Sequence, residues 1–219
     1  MLRLYDHRVG RAEPLPPGPG LRLQILDGTG HRTLVVADLL RRIAGRAGRR
    51  VRFASVPVAV EGWADYNVAP FEVLGEPLAE ADVCVSAGQA DVDALCLAVP
   101  QETGVKPADP LAARLVMLET PYREPVELTD ARLAGAGGRL DAWRGKVAEW
   151  ATSPGHPMSK DYATRAEAAL ADDLDCAGAL AVLDRLAGDP EVPPGAKLET
   201  FIHLDMLLAL GLVSAIGSA

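Results

Sequence analysis

Leu21-Arg22-Leu23-Gln24-Ile25-Leu26 alternates apolar and polar positions and then runs apolar, as a strand entering a sheet does. Asp27-Gly28-Thr29-Gly30-His31 follows and is a turn by composition. From Thr33 to Ala47 the apolar positions Leu34, Val35, Ala37, Leu39 and Ile43 recur at helical spacing. Asp38 stands within that stripe, arginines take the other face, and Gly48 suits the C-terminal cap. Val51 to Val60 is β-branched and apolar and predicts a second strand. Strand, helix and strand within about 40 residues predict a crossover unit in a parallel sheet. Asp82 to Gly88 reads as a short buried strand, whereas Val92 to Val99 fits helix or strand equally. A short strand is expected within residues 2–9, a stiff linker over Pro14–Gly20 and irregular chain over 61–80.

The texture changes at Pro107. Leu111–Leu118, Asp130–Trp150, Tyr162–Ala171, Ala177–Ala187 and Lys197–Leu210 all carry helical periodicity. Asp109-Pro110 reads as an N-cap with proline at the first helical position, and Thr129-Asp130 opens the next helix. The expected fold is therefore α/β: a Rossmann-like parallel sheet over residues 1–106, then a C-terminal helical bundle over 107–219.

Composition narrows this picture. At 49% hydrophobic residues the chain can bury a core, and with 5% aromatics that core must be mostly aliphatic. A net charge of -8 argues against a general nucleic-acid binder, which must neutralise phosphates. No apolar run is long enough to span a bilayer and the N-terminus carries no secretory pattern, so a cytoplasmic protein without membrane contact is expected. Cys84, Cys96 and Cys176 lie far apart without a C-x-x-C pair and read as buried free thiols.

The candidate chemistry sits at Gly28, Thr29, Gly30 and His31. A strand-to-helix turn with two glycines opens backbone N–H groups and a positive dipole end to an anion, and Arg32 adds charge beside it. Asp27 would repel a phosphate there. His7, His156 and His203 form no metal-ligand spacing, so no metal site is expected. Asp172-Asp173-Leu174-Asp175 reads as the cap of the helix that follows. No P-loop, G-x-G-x-x-G or G-x-S-x-G occurs.

Several segments also follow one another in a familiar order: Leu2-Arg3-Leu4-Tyr5-Asp6, Leu21 to Thr29, Gly30 to Arg42, Asp109 to Leu115, Tyr122-Arg123-Glu124-Pro125-Val126, and Ala171 to Asp175 with Ala179 to Leu183. Together they resemble a shortened cysteinyl-tRNA synthetase, or its relative the mycothiol-pathway ligase that joins cysteine to an amino sugar. Residues 61–105 resemble that family least. The resemblance implies a nucleotide-binding-type sheet, a "HIGH" element at the start of the first long helix, a "KMSKS" loop before Asp109, and a zinc that reads the substrate thiol.

The departures from that pattern shape the functional expectation. Of "HIGH" only Gly30-His31 remains, with Gly28 at the place of the first histidine. The segment before Asp109 is Gly104-Val105-Lys106-Pro107-Ala108, so Lys106 alone stands for the lysines of the second signature. Met158-Ser159-Lys160 spells half of that signature in the wrong place, and Leu26 or Asp27 stands where the first zinc-binding cysteine belongs. Each lost donor to a developing charge commonly costs about 2.7–4 kcal/mol, and several together would slow adenylation by roughly 10⁴-fold or more. The expectation is thus a binding or regulatory module with no catalytic residues and no cofactor other than ATP, held at Gly28–His31 and Lys106. Its partner would be a small molecule or a protein, and not tRNA. The alternative is an ATP-dependent cysteine ligase or nucleotidyl transferase with a reduced site.

Overall fold

The computed structural model describes residues 2–26, 30–56, 60–88 and 90–217. Five parallel strands form the central sheet in the order β5-β4-β3-β6-β7: β3 (Gly20–Ile25), β4 (Arg50–Ser55), β5 (Glu72–Val73), β6 (Val83–Ser86) and β7 (Leu95–Ala98). The chain winds outward from β3 in both directions, so the order reverses between β3 and β6. In open α/β sheets that reversal leaves a crevice at the strands' carboxyl ends. Val92–Val99 is thereby resolved as strand β7 rather than helix.

The helix after β3, α1 (His31–Arg46), is buried almost all round from Arg32 to Leu40. One side lies on β3 and β4, and the other meets the helical half through α2 (Pro110–Glu119) and α6 (Pro194–Leu208). Asp38 therefore lies in the interior, fully buried, and is satisfied there by Arg114 Nη2 at 3.1 Å, Arg42 Nε at 2.7 Å and Arg41. Arg114, equally buried, also donates to the carbonyls of Tyr66 at 2.7 Å and Leu208 at 2.8 Å. This network joins the sheet half to the helical half through a core that runs continuously from Leu23 to Phe201.

The helical half adds α3 (Asp130–Trp150), α4 (Lys160–Ala171) and α5 (Cys176–Gly188). Its caps follow the side chains: Asp109 accepts from Leu111 N at 2.8 Å, Thr129 from Arg132 N at 3.3 Å and Asp175 from Gly178 N at 2.8 Å. The α/β sheet followed by helices is the expected fold. Among the described residues no helix is long and apolar enough to cross a membrane.

Several details differ from the sequence reading. The N-terminus forms an antiparallel hairpin, β1 (Arg3–Asp6) with β2 (Arg11–Pro14), ahead of the expected linker, rather than a single strand. Within 61–80, expected as irregular chain, lie a short helical turn (Trp63–Tyr66) and strand β5. A second small sheet pairs β8 (Glu102–Gly104) in parallel with β9 (Val126–Leu128). Gly104 is required there: its φ is +101° and a Cβ would stand 2.2 Å from the Leu128 carbonyl oxygen. That pairing brings Glu102 against the start of α1 and Lys106 to the wall of the same cavity.

Candidate functional site

Gly30 occupies the N-cap position of α1 with extended backbone and no side-chain cap. The first N–H groups of a helix need acceptors, and here Glu102 supplies them. Its carboxylate accepts from His31 N at 2.9 Å and Arg32 N at 3.0 Å. A Cβ on residue 30 would stand 2.9 Å from Glu102 Oε2 and 3.1 Å from Gln101 Cγ, so glycine is what lets the acid dock. The place where a helix N-terminus would hold a phosphate is taken by a carboxylate of the same chain.

His31 is held just as closely. Its Nε2 lies 3.0 Å from the Glu61 carbonyl oxygen and its Nδ1 lies 3.3 Å from Glu102 Oε1. Both partners are acceptors, an arrangement that favours a proton on the ring. The hydrogen bond to Glu102 raises the His31 pKa, against burial, with help from the Glu61 carbonyl. Burial alone would push the Glu102 carboxyl up, but the hydrogen bonds from His31 and Arg32 outweigh it and hold the group below its ordinary value. The His31 ring stacks on Tyr66 with centroids 4.3 Å apart. Burial, with Glu102 and Asp65 nearby, pushes that tyrosine up to about 12.

These residues line a cavity of about 590 Å³ that also includes Lys106. The structure thus brings His31 and Lys106, 75 positions apart in the sequence, to one cavity. Glu61, Asp65 and Glu102 share the same walls, so three acidic residues line the cavity beside His31 and Lys106. Gly28 and Thr29 lie outside the described residues.

Arg32 does not stand beside the turn as expected. It is fully buried and points inward, donating to the carbonyls of Pro100 at 3.3 Å, Pro121 at 2.9 Å, Thr120 at 3.4 Å and Glu124. Burial lowers its pKa to about 10, and it acts as a clamp on the α2–β9 connection. Met158-Ser159-Lys160 leads into α4, where Ser159 N donates to Thr200 Oγ1 at 2.9 Å, away from the cavity.

Cys84, Cys96 and Cys176 are all buried and free. Among the described residues no three of His, Cys, Asp and Glu gather as a metal-holding group. His203 Nε2 meets Glu167 at 2.7 Å, a satisfied partner.

Glu102 was not legible as a site residue. It lies 71 positions beyond His31, in a short polar stretch with no motif of its own. Glu61, Asp65 and Tyr66 come from the stretch 61–80, where periodicity offers no signal.

A five-stranded parallel sheet of this order, with a cavity at the start of its first crossover helix, is a Rossmann-like α/β fold. No family model matches the chain. Among curated proteins it is similar to the L-cysteine:1D-myo-inositol 2-amino-2-deoxy-alpha-D-glucopyranoside ligase of Thermobispora bispora, 39% identical over 108 residues, which is 48% of this chain and 25% of that protein. The ligase of the same name from Streptomyces griseus is 39% identical over 111 residues, 48% of this chain and 25% of the relative. That of Kytococcus sedentarius is 42% identical over 85 residues, 36% of this chain and 19% of the relative. The chain spans about a quarter of the length of these relatives. Over about half of itself it is thus similar to the mycothiol-pathway cysteine ligases, a cysteinyl-tRNA synthetase-like family.

Proposed function

We propose that this chain is a non-adenylating relative of the cysteine ligases, a binding module whose cavity at the start of α1 takes a small ligand other than a nucleotide triphosphate. One observation carries the reading. Glu102 accepts the N–H groups of His31 and Arg32 at the start of α1 and lies 3.3 Å from His31 Nδ1, while the Glu61 carbonyl lies 3.0 Å from Nε2. The helix and His31 donors that a phosphate would use are engaged inside the protein, and the remaining walls, Glu61, Asp65 and Lys106, are net acidic. A triphosphate entering this cavity would meet like charge at short range, at roughly 4 kcal/mol per pair at 4 Å near a protein surface. The same acidity favours a ligand with an amino group, which Glu61, Asp65 and Glu102 can accept. Residues 1–106 act as the ligand-holding part and 107–219 as the helical support, joined by the Asp38–Arg114 pair. The protein would work in the cytoplasm.

The second reading, an ATP-dependent ligase with a reduced site, draws on the shared cavity of His31 and Lys106. ATP–pyrophosphate exchange with L-cysteine separates the two. Exchange no higher than that of His31→Ala supports the binding module. Exchange well above that control, and lost with Lys106→Ala, supports the ligase.

A further inference from the structure

The second face of the sheet carries chemistry that the cavity at α1 does not use. Cys84 on β6 and Cys96 on β7 are direct partners in the parallel register. Registered residues of neighbouring strands project to the same side of a sheet. The two cysteines accordingly form, with Ala94, a small apolar cluster separate from the main core. Each is 3% exposed. Neighbouring strands lie about 4.8 Å apart, and a disulfide spans Cα separations of about 4.4–6.8 Å. The bridge therefore needs only a small approach of the two strands to bring the Cβ atoms within range.

The two thiols differ in access. Cys84 lines a second cavity of about 600 Å³, with Arg22, Gln24, Leu26, Val92 and Ala94 among its walls. Cys96 is not among those walls, and its Sγ–H points to the Ala94 carbonyl at 3.4 Å. Arg8, fixed by the Val92 carbonyl at 2.6 Å and by Asp6 at 3.6 Å, lies near both sulfurs and favours their thiolates. Burial acts against it and pushes Cys84 up to about 12 and Cys96 up as well. Both groups thus stand as thiols at neutral pH, and their exchange is slow beside that of a free cysteine.

We propose that Cys84 and Cys96 form a thiol–disulfide exchange site, with Cys84 the entry thiol and Cys96 the resolving thiol for a small disulfide that enters the second cavity. In the first step the Cys84 thiolate attacks one sulfur of the small disulfide. The Cys84 S–H and the small S–S bond break, a mixed disulfide forms, and the released thiol takes up the proton. In the second step the Cys96 thiolate attacks the Cys84 sulfur, and the second small thiol leaves with the Cys96 proton. The two protein thiols are oxidised and one small disulfide is reduced to two thiols. Cys176 has no part in this: it is buried in the main core, on α5.

The test uses the full chain, freshly reduced, incubated with hydroxyethyl disulfide under native conditions. Free thiols are then counted after denaturation, and peptides are mapped by mass without reduction. The expected result is a fall from three free thiols to one and a peptide pair joined through Cys84 and Cys96. Cys96→Ala should stop at a mixed disulfide on Cys84, Cys84→Ala should leave Cys96 unreacted over the same period, and Cys176→Ala should still close the bridge. A bridge to Cys176, a mixed disulfide at Cys84 that persists with Cys96 intact, or three free thiols after the denatured chain has fully reacted would each overturn the proposal.

Discussion

The Tyr122 hydroxyl donates to Asp173 Oδ1 at 2.6 Å, and this contact ties together three segments that lie far apart in the sequence. The same carboxylate accepts from Tyr5 N at 2.7 Å and meets Arg123 at 3.1 Å, while the Arg123 guanidinium lies 4.3 Å from the Tyr5 ring centre. Asp173 N in turn donates to the Arg3 carbonyl at 2.9 Å. The opening strand, the Tyr122-Arg123 stretch and the acidic run before α5 thus meet at one point. Asp173 and Leu174 both adopt left-handed backbone, φ 57° and 55°. Such residues cost about 1–3 kcal/mol each and persist where their surroundings over-determine them. Three of the segments that resemble the ligase family meet here as structural ties.

Asp173→Ala should therefore destabilise the protein by about 3 kcal/mol, since it strands a buried tyrosine hydroxyl and a backbone N–H. Asp173→Asn should cost roughly half as much, because asparagine tolerates the left-handed region and keeps an acceptor. Urea unfolding of the two variants checks the order. Equal losses would mean that the backbone, and not the hydrogen bonds, dominates.

The buried pair of Asp38 and Arg114 makes a second prediction. Removing one partner of such a pair typically costs about 3–5 kcal/mol, and Asp38 also anchors Arg41 and Arg42. Asp38→Asn should thus destabilise at least as much as Arg114→Met. Thermal unfolding should still show a single transition, because the core is continuous across the two halves. Two separated transitions in either variant would contradict that.

The larger elements were legible because each follows from local rules. The alternation in Leu21–Leu26 and the β-branched run after Val51 mark strands, and Asp109, Thr129 and Asp175 mark helix starts. Long-range placement was not legible. Asp38 reads as a flaw in an apolar stripe until Arg114, 76 positions on, is seen to neutralise it. Arg32 reads as a phosphate-side charge until its carbonyl partners on the α2–β9 connection appear. The hairpin at β2 and the pairing of β8 with β9 rest on partners that periodicity does not reveal. For the site, His31 was legible from the strand-to-helix turn that it closes, and Lys106 through resemblance alone. Glu102, which changes what they can do, carries no local signal.

The His31–Glu102 pair fixes a pH dependence. The folded His31 pKa is raised, so its contribution is fully present below the unfolded value of about 6.5 and is lost as the pH rises through the folded value. The folded Glu102 pKa is lowered, so its contribution is present above the unfolded value and lost as the pH falls through the folded one. Unfolding free energy measured across neutral pH should fall on the alkaline side in the parent, and His31→Gln should flatten that slope. An unchanged slope in the variant would show that another group carries it.

Glu102 fills the anion position at the start of α1. Calorimetric titration of ATP into the parent and into Glu102→Ala checks this. The parent should show no measurable binding. Glu102→Ala should bind ATP, and the binding should be lost again when His31→Ala or Lys106→Ala is added, at a cost of about 1–3 kcal/mol in stability from the emptied cap. ATP binding to the parent that weakens with His31→Ala, Lys106→Ala or Glu102→Ala would contradict it.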